Sequence, residues 1–285
     1  MRSAVNKRNL LRFISYWSLG VILPSASESN SKENKDNIVK RKKSMKFTLH
    51  KSQSRGFADH GWLKSHHTFS FASYHNPDRM GFGALRVIND DIVAPSKGFG
   101  THPHENMEII SVPLSGSLMH KDTMGNRHVI KKGEVQAMTA GSGLSHSEYN
   151  NSAEDMVNFL QIWVMPKKLG VEPSYSQKEF LESKRENSLQ LVVSPDGRQD
   201  SVAINQDAYF SLAKMDLDSK LVYKKYEKTN GVYFFVLDGK LDVSGQSLHE
   251  RDGLGVLDGD EMEIKAQNTS EVLIMEVPME IERRA

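Results

Sequence analysis

The sequence predicts an all-β protein built from two antiparallel β-sandwich or barrel domains. Short apolar runs of strand length recur along the chain between glycine, asparagine and aspartate turns, and helical periodicity is nearly absent. The turn pattern of the first half also recurs weakly in the second half, which indicates two copies of one β-architecture. We therefore expect an N-terminal extension over 1–44, a first β domain over 45–168 and a second over 169–285.

The strands of the first half are predicted from apolar runs and the turns that flank them. Ser115-Gly116-Ser117 joins two strands into a hairpin, and Met124-Gly125-Asn126 and Lys132-Gly133-Glu134 mark further turns. A crossing between the domains is expected at Lys167–Phe180, and a short helix within Ser176–Glu186. The predicted strands are Thr68–Ser73, Ala84–Val93, Met107–Leu114, Leu118–Asp122 and Val157–Met165.

The second half repeats the turns of the first half but not its histidines. Val236–Leu241 is similar to Val112–Leu118, and Leu257–Asp260 is similar to Met138–Ser142. Only one histidine, His249, lies in the second half, so we expect no metal site there. The predicted strands are Gln190–Val193, Ala208–Ala213, Leu221–Tyr226, Val232–Leu237, Lys240–Val243, Gly255–Leu257 and Val272–Val277.

Residues 1–44 do not have the composition of a folded domain. Leu10–Leu23 is apolar, but Arg12 interrupts it and it is shorter than a bilayer span requires. Basic residues precede that run and the small residues Ser25-Ala26-Ser27 follow it, so a secretory signal is the alternative to a disordered extension. We interpret the basic run Lys40–Lys43 as a solvated tail, with a nuclear-targeting or anionic-surface patch as the less favoured alternative. We expect a cytoplasmic protein without a membrane span, with secretion as the alternative.

Composition limits the chemistry that the chain can support. Its 285 residues include no cysteine, which excludes thiolate-bound zinc and iron–sulfur clusters and leaves imidazole and oxygen as metal ligands. Residues 1–45 carry 10 Lys/Arg and 3 Asp/Glu, whereas the remaining residues carry 27 and 33. The folded part is therefore mildly acidic, which argues against direct binding of nucleic acid.

Two pairs of potential metal ligands occur in the first half: His102 and His104, then His146 and Glu148. Residues two apart on a β-strand share a face, so two such pairs on facing strands would converge on one point. Three imidazoles and one carboxylate suit a first-row transition metal better than calcium or magnesium. The alternative, polar residues on a solvent-facing strand edge, does not explain the shared spacing. The histidines without this spacing, which we interpret as surface, ligand-supporting or pocket-lining residues, are His66, His67, His75, His120 and His128.

Three longer motifs surround these residues: Phe99–His104, Asp122–Asn126 and Met138–Glu148. Together they resemble the pirins, a branch of the cupin superfamily, and most of all the bacterial pirin-like quercetin dioxygenases. The likeness covers most of Met45–Phe180, covers the second half more loosely, and leaves 1–44 outside. It is also carried by His60–Leu63, His67–Phe71, Leu85–Asp91 and Gln161–Pro166.

The resemblance implies a bicupin with one metal, bound in the first domain only. The ligands of the family correspond to His102, His104, His146 and Glu148. Many other cupins take their carboxylate from the position of Glu108, which has the strand parity of a ligand. We favour Glu148 because the His-Ser-Glu motif is intact, and we expect Glu108 to orient a ligand imidazole. The cofactor expected is one divalent transition metal per chain, Fe2+ in preference to Mn, Ni, Co, Cu or Zn.

The resemblance further implies a dioxygenase that opens the central ring of quercetin-like flavonols with O2 and releases carbon monoxide. Four protein ligands would leave two positions for substrate oxygen, dioxygen or water. Glu148 would then be the general base for the flavonol 3-hydroxyl. The apolar residues considered for the substrate pocket, each with core packing as the favoured alternative, are Phe69, Phe71, Met107, Ile109 and Phe159.

A different class of function is compatible with the same ligands. Pirins include proteins thought to act as metal-dependent regulators or redox sensors through protein partners, and such a protein would need the same metal site. We favour the enzyme, with a small aromatic, flavonol-like substrate and O2 as its partners, and we expect a monomer that does not bind nucleic acid directly.

Overall fold

Antiparallel β-strands make up most of residues 44–281, the part of the chain that the computed structural model describes. The predicted N-terminal extension lies, except for Ser44, outside that part. Within 44–281 no helix is long and apolar enough to cross a membrane. The helical turns in this range are three short 3-10 segments, Ser52–Ser54, Glu182–Lys184 and Arg198–Asp200.

Twelve of the described strands lie before residue 180 and ten after it. The first group comprises β1 (Lys46–His50), β2 (Gly56–Asp59), β3 (Leu63–His67), β4 (Leu85–Val93), β5 (Gly98–His104), β6 (Glu108–Ser115), β7 (Ser117–Asp122), β8 (Arg127–Lys131), β9 (Glu134–Thr139), β10 (Leu144–Asn150), β11 (Val157–Val164) and β12 (Ser174–Glu179). The second group comprises β13 (Gln190–Ser194), β14 (Val202–Ala203), β15 (Tyr209–Met215), β16 (Lys220–Lys224), β17 (Asn230–Asp238), β18 (Lys240–Val243), β19 (Gln246–His249), β20 (Gly253–Leu257), β21 (Glu261–Ala266) and β22 (Ser270–Pro278).

The two halves have the same sheet order. The first half contains a seven-stranded sheet, β12-β9-β6-β11-β4-β3-β2, and a four-stranded sheet, β5-β10-β7-β8. The second half contains the corresponding sheets β1-β20-β17-β22-β15-β13-β14 and β16-β21-β18-β19. The prediction of an all-β protein with a repeated two-sheet architecture is confirmed.

One edge strand of each seven-stranded sheet lies outside the run of consecutive strands that forms the rest of its half. β1 pairs with β20 in the second half, with Lys46 opposite Leu257 and His50 opposite Gly253. β12 follows the first half in sequence and pairs with β9, with Ser174 opposite Thr139. The domain boundary predicted after residue 168 stays a prediction. β12 lies beyond that boundary and is an edge strand of the first seven-stranded sheet.

Two of the predicted secondary-structure elements are wrong. Thr68–Ser73 forms turns instead of a strand: Phe71 and Tyr74 exchange backbone hydrogen bonds, and Ala72 has a left-handed φ of 48°. Ser176–Glu186 contains no α-helix, because its first part belongs to β12 and only Glu182–Lys184 is helical, as a 3-10 turn. The free edge of β9 supplies backbone partners for β12, and this pairing outweighs local helix preference.

Apolar side chains on both seven-stranded sheets pack into one shared core. Ile88 and Ile162 of the first half belong to the same buried cluster as Phe235 and Met275 of the second half. Adjacent residues on a strand point to opposite faces, so the neighbouring positions point into the interior of each half. The seven-stranded sheet of each half thus has one face in the shared core and one face toward its own four-stranded sheet.

The interiors of the two halves differ. In the second half a continuous apolar cluster includes Tyr223 of β16 and both Met262 and Ile264 of β21. In the first half the apolar residues form two smaller clusters, one around Phe159 and one around Met138. The first half therefore has room for polar side chains between its sheets.

Candidate metal centre

The predicted ligands lie on two adjacent strands, β5 and β10, of the four-stranded sheet of the first half. His102 is directly opposite His146, and His104 is opposite Leu144. The two pairs therefore converge as neighbours within one sheet, and not from facing strands as the spacing suggested. The pairing register shifts between His146 and Glu148, which places Glu148 opposite Phe99.

Two glycines allow this close approach of strands and loops. A Cβ atom on Gly98 would overlap the backbone oxygen of Glu148. β5 can therefore lie this close to β10 only because residue 98 has no side chain. Gly141 precedes β10, has a φ of 50°, and faces the backbone oxygen of Val171 so closely that a Cβ atom would overlap it. Both glycines fix the strand that carries His146 and Glu148.

Three imidazole rings on these two strands lie close together. The ring centroid of His102 lies 4.5 Å from that of His146 and 4.9 Å from that of His104, and the His104 and His146 centroids are 4.8 Å apart. The Nε2 atoms of His102 and His146 are 3.0 Å apart. Two nitrogens bound at right angles to one ion, each about 2.1 Å from it, would also lie about 3 Å apart.

Hydrogen bonds fix which nitrogen of His102 is available for a metal. Its Nδ1 lies 2.7 Å from the backbone oxygen of Gly100, which can only accept a hydrogen bond. Nδ1 therefore carries the hydrogen, and the Nε2 lone pair of the neutral ring points toward His146. A metal ligand usually has this arrangement, with its other ring nitrogen donating to an oxygen.

A chain of side chains behind His146 fixes its ring in the same way. His120, fully buried on β7, places its Nε2 3.1 Å from Oδ2 of Asp122 and its Nδ1 3.4 Å from Nδ1 of His146. The carboxylate of Asp122 accepts from His120, so Nδ1 of a neutral His120 ring accepts from Nδ1 of His146. Nε2 of His146 is then unprotonated and faces His102.

Asp122 is itself held as a carboxylate by its surroundings. Burial acts to raise its pKa, but hydrogen bonds from the side chain and backbone of Asn126 and from His120 outweigh burial and hold the pKa below its usual range. The Asp122 carboxylate also accepts from the backbone of Met124. The turn Asp122–Asn126 thus anchors the end of the hydrogen-bonded chain that orients His146.

Glu148 is fully buried beside these rings, in a polar pair with Gln161. Nε2 of Gln161 donates to Oε2 of Glu148 at 2.8 Å, and the hydroxyl of Ser111 lies 3.3 Å from Oε1. Burial raises the pKa of Glu148, and the hydrogen bond from Gln161 partly opposes this effect. Potential ligand atoms of His102, His104 and His146 form one close group, and those of His120, His146 and Glu148 form a second that shares His146.

Glu108 occupies a different environment from the one expected. Its Oε2 accepts from the hydroxyl of Thr139 at 2.6 Å and from the backbone N–H of Asn205 at 3.1 Å. These contacts link the two halves of the chain, and Glu108 has no imidazole partner among the described residues. The expectation that Glu108 orients a ligand imidazole is therefore wrong.

The donor set fits a divalent transition metal. Burial and the neighbouring His102 ring lower the pKa of His104 to about 4, and burial with three neighbouring imidazoles lowers that of His146 further. Both rings are neutral at neutral pH and offer lone pairs to a cation. The Nε2 lone pairs of His102 and His146 face each other at 3.0 Å, and they repel unless a cation lies near both. These residues could hold a metal with imidazole and carboxylate ligands.

A cavity of about 370 Å3 opens beside the imidazoles. Its volume is within the range of pockets that bind small organic molecules. Of the five residues proposed for the pocket, Phe71 lines the cavity. Phe69, Phe159 and Ile109 belong to apolar clusters, and Met107 packs against the cluster that contains Ile109. The residues that line the cavity are Ala58, His60, Leu63, Ser65, His67, Phe71, Ala72, Ser73, Asn89, Asp91, Phe99, His102, His104, Glu148, Gln161 and Trp163.

Comparison with known proteins places this site in a family. A profile of the pirin family matches residues 48–164, and a profile of quercetinase C-terminal cupin domains matches residues 191–277. A curated relative from Escherichia coli K12, named quercetin 2,3-dioxygenase, is 42% identical over 230 residues, covering 81% of this chain and 98% of the relative. The chain belongs to the pirin family.

Other pirins support the same assignment. A relative from Caulobacter vibrioides, named pirin-like protein, is 39% identical over 222 residues, covering 78% of this chain and 95% of the relative. The crystal structure of the bacterial pirin YhhW from E. coli in complex with nickel(II) matches with a TM-score of 0.78 and 41% identity, covering 82% of this chain and 99% of that one. The predicted membership of the pirins and the likeness to quercetin 2,3-dioxygenases are confirmed.

Proposed function

We propose that this pirin is a mononuclear metal-dependent dioxygenase that opens the central ring of quercetin-like flavonols with O2 and releases carbon monoxide. The observation that carries the proposal is the junction of three imidazoles with an aromatic-lined cavity. His102, His104 and Glu148 all line that cavity, so a bound substrate would touch the metal centre. The names of the E. coli and other curated relatives support the same reaction.

The proposed ligands are His102, His104, His146 and Glu148. A redox-capable metal held by them would supply Lewis acidity and one-electron chemistry toward dioxygen. His102 and His146 are oriented by Gly100 and by the His120–Asp122 pair, so their lone pairs need little reorganisation to bind an ion.

Glu148 is the proposed general base. Gln161 holds Oε2 at 2.8 Å, whereas the contact of Oε1 with Ser111 is longer at 3.3 Å. Oε1 is therefore the oxygen more readily available to take the proton of the flavonol 3-hydroxyl. Removing that proton increases the electron density of the central ring, which prepares it for attack by dioxygen.

Aromatic side chains position a flat substrate and exclude water. Trp163 lies perpendicular to the ring of His104, with centroids 5.0 Å apart, and Phe71 lies perpendicular to Trp163 at 5.4 Å. Phe99 and Leu63 add apolar surface to the cavity. Such walls favour stacked or edge-on contacts with a planar ring system.

The proposal also covers the native metal, the oligomeric state and the cellular location. We propose one Fe2+ per chain; the nickel(II) in the related YhhW structure supports a site that accepts several divalent metals. We further propose a cytoplasmic monomer that acts on a free flavonol-like substrate without binding nucleic acid. The regulatory alternative would need the same ligands, but it does not account for a cavity of about 370 Å3 at the ligands.

The proposal is tested with the purified full-length chain loaded anaerobically with Fe2+. Addition of quercetin and oxygenated buffer should consume O2 and quercetin in equal amounts and release one carbon monoxide for each ring opened. The Glu148→Gln variant, which keeps the shape of the side chain, should retain some metal and lose most of the turnover. Stoichiometric iron with no O2 consumption on any member of a flavonol panel would refute the enzymatic proposal and favour the regulator.

A further inference from the structure

A second polar surface lines the same cavity on strands that carry none of the proposed ligands. Ser65 and His67 lie on β3, and Asn89 and Asp91 lie on β4. Ser65 is directly opposite Asp91, and His67 is directly opposite Asn89. Residues two apart on a strand, and residues directly opposite on neighbouring strands, share one face of the sheet. These four residues, which we term the polar patch, therefore form a contiguous block, and all four line the cavity.

Three atoms of the polar patch are buried without a hydrogen-bond partner within the described part of the chain. They are Oδ1 of Asp91, Oδ1 of Asn89 and Nδ1 of His67. The three residues are only 4%, 3% and 3% exposed, so bulk solvent reaches them little. Nearly all buried polar atoms in folded proteins have a partner, and three orphans on adjacent residues at one cavity indicate a missing ligand.

The chemistry of these atoms defines the ligand that would satisfy them. The unpartnered Oδ1 of the Asp91 carboxyl group and the amide oxygen of Asn89 can accept hydrogen bonds. His67 adds a neutral ring, because burial and neighbouring cationic groups lower its pKa to about 4. The ring of Phe71 lies edge-on to that of His67, with centroids 5.4 Å apart. A fitting ligand has hydroxyl donors along the edge of an aromatic ring.

We propose that the polar patch is a hydroxyl-recognition subsite that binds ring hydroxyl groups of the aromatic substrate other than the hydroxyl at the metal centre. It sets a preference for substrates with several hydroxyls on the ring that contacts the patch. This inference rests on the proposed function, because it assumes that an aromatic substrate enters the cavity. It adds a specificity determinant on β3 and β4 to the ligands on β5 and β10.

Binding without turnover tests the subsite separately from the reaction. The probes are three flavonols that share the 3-hydroxyl and differ on the pendant ring: quercetin with two hydroxyls, kaempferol with one and galangin with none. Anaerobic titration of the metal-free chain is followed by fluorescence, since Trp163 lines the cavity. We expect affinity to fall from quercetin to kaempferol to galangin. Equal affinity for the three probes, or no binding of any of them, would overturn the inference.

Variants of the patch then assign the preference to its residues. Asp91→Asn should weaken quercetin binding roughly tenfold and leave galangin binding within about twofold, because the variant replaces an acceptor oxygen with an NH2 donor at a pendant-ring hydroxyl that galangin lacks. Asn89→Ala should also weaken quercetin binding more than galangin binding. It tests the inference if Asp91→Asn does not fold. Asp78→Asn, an exposed change of the same charge, is the control. An equal loss for all three flavonols would show a structural role only and overturn the inference.

The same titrations separate this inference from the proposed function. If the metal-free chain prefers quercetin and the variants abolish the preference, the subsite stands even when the iron-loaded chain consumes no O2. If the iron-loaded chain consumes O2 with all three flavonols at the same kcat/KM and binds them equally, the reaction stands and the subsite does not.

Discussion

The Nε2 atoms of His102 and His146 face each other at 3.0 Å across two hydrogen-bonded strands. The opposite nitrogen of each ring is directed to a partner, Gly100 O for His102 and the His120–Asp122 pair for His146. Both rings therefore present lone pairs to the same point. This relationship makes the pair a preorganised chelate, and it leads to predictions about the ligands and about the residues behind them.

We predict that His102→Ala or His146→Ala removes stoichiometric metal and leaves a folded protein. The apolar clusters contain neither imidazole, so the core does not depend on them. Elemental analysis of protein purified with Fe2+ or Ni2+, together with circular dichroism, measures both outcomes. Full metal occupancy in both variants would contradict the ligand assignment.

The carboxylate prediction compares two buried glutamates. Glu148→Gln should reduce metal content and abolish most turnover, because the charge and the basic oxygen are lost. Glu108→Gln should leave the metal in place, because Glu108 is bonded to Thr139 and Asn205 and has no described imidazole partner. Metal analysis of both variants decides between them. Loss of metal from Glu108→Gln alone would point to the general cupin arrangement instead.

Asp122→Asn should weaken metal binding about 10- to 100-fold without removing a ligand, because it disturbs the group that orients His120 and, through it, His146. Competition with a chelator of known affinity measures the change. Asp78→Asn serves as an exposed control. An unchanged affinity would show that the His120–Asp122 pair does not govern the His146 ring.

One metal per chain is predicted, held by residues 102–148. At the corresponding strands of the second half, Tyr223 is paired with Met262 and Leu221 with Ile264, and these side chains pack in or against an apolar cluster. His249→Ala should therefore leave metal content and turnover unchanged. A stoichiometry near two, falling to one in that variant, would reveal a second site.

Stability should depend on pH through Asp91. Burial, strengthened by the charges of Asp90 and Glu148 and opposed by a hydrogen bond from Ser65, raises its pKa from 3.8 to about 7. The folded state binds the proton more tightly than the unfolded state does. The stabilisation is therefore complete below about pH 4 and is lost as the pH rises through about 7.

The Asp91→Asn variant cannot ionise at this position. Its free energy of unfolding, relative to the wild type, should increase as the pH rises from about 5 to about 8. Denaturant unfolding of both metal-free proteins across this range measures the difference. A difference that is constant with pH would show that Asp91 titrates normally in the folded protein.

Strand parity predicts the four proposed ligands, because the i, i+2 spacing places each pair on one face whatever the tertiary context. It does not predict the role of His120. That role depends on the register of β7 against β10, where Glu148 is opposite His120 and His146 is opposite Asp122, and register is a property of pairing between distant residues. Strand parity also does not predict that the acidic stretch around Asp91 is buried.

The turn after β3 shows a second limit of sequence patterns. Phe69 and Phe71 alternate with polar residues as in a strand, yet Phe69 is buried in the shared core and Phe71 lines the cavity. Ser70 is bonded to Asn76 and Arg79, so the backbone folds back locally instead of pairing with a neighbouring strand. The alternation of apolar and polar residues here reflects two different environments, the shared core for Phe69 and the cavity for Phe71, and does not indicate a strand.

The exchange of edge strands has a consequence for how the chain folds during synthesis. β1 leaves the ribosome before the rest of the sheets, but its partner β20 lies near the other end of the chain. Until β20 has emerged, β1 has no edge to join, and the closing contact spans nearly the whole sequence, which slows folding. Docking of β1 is then a late event. The emerging chain must therefore keep β1 unpaired for most of its translation.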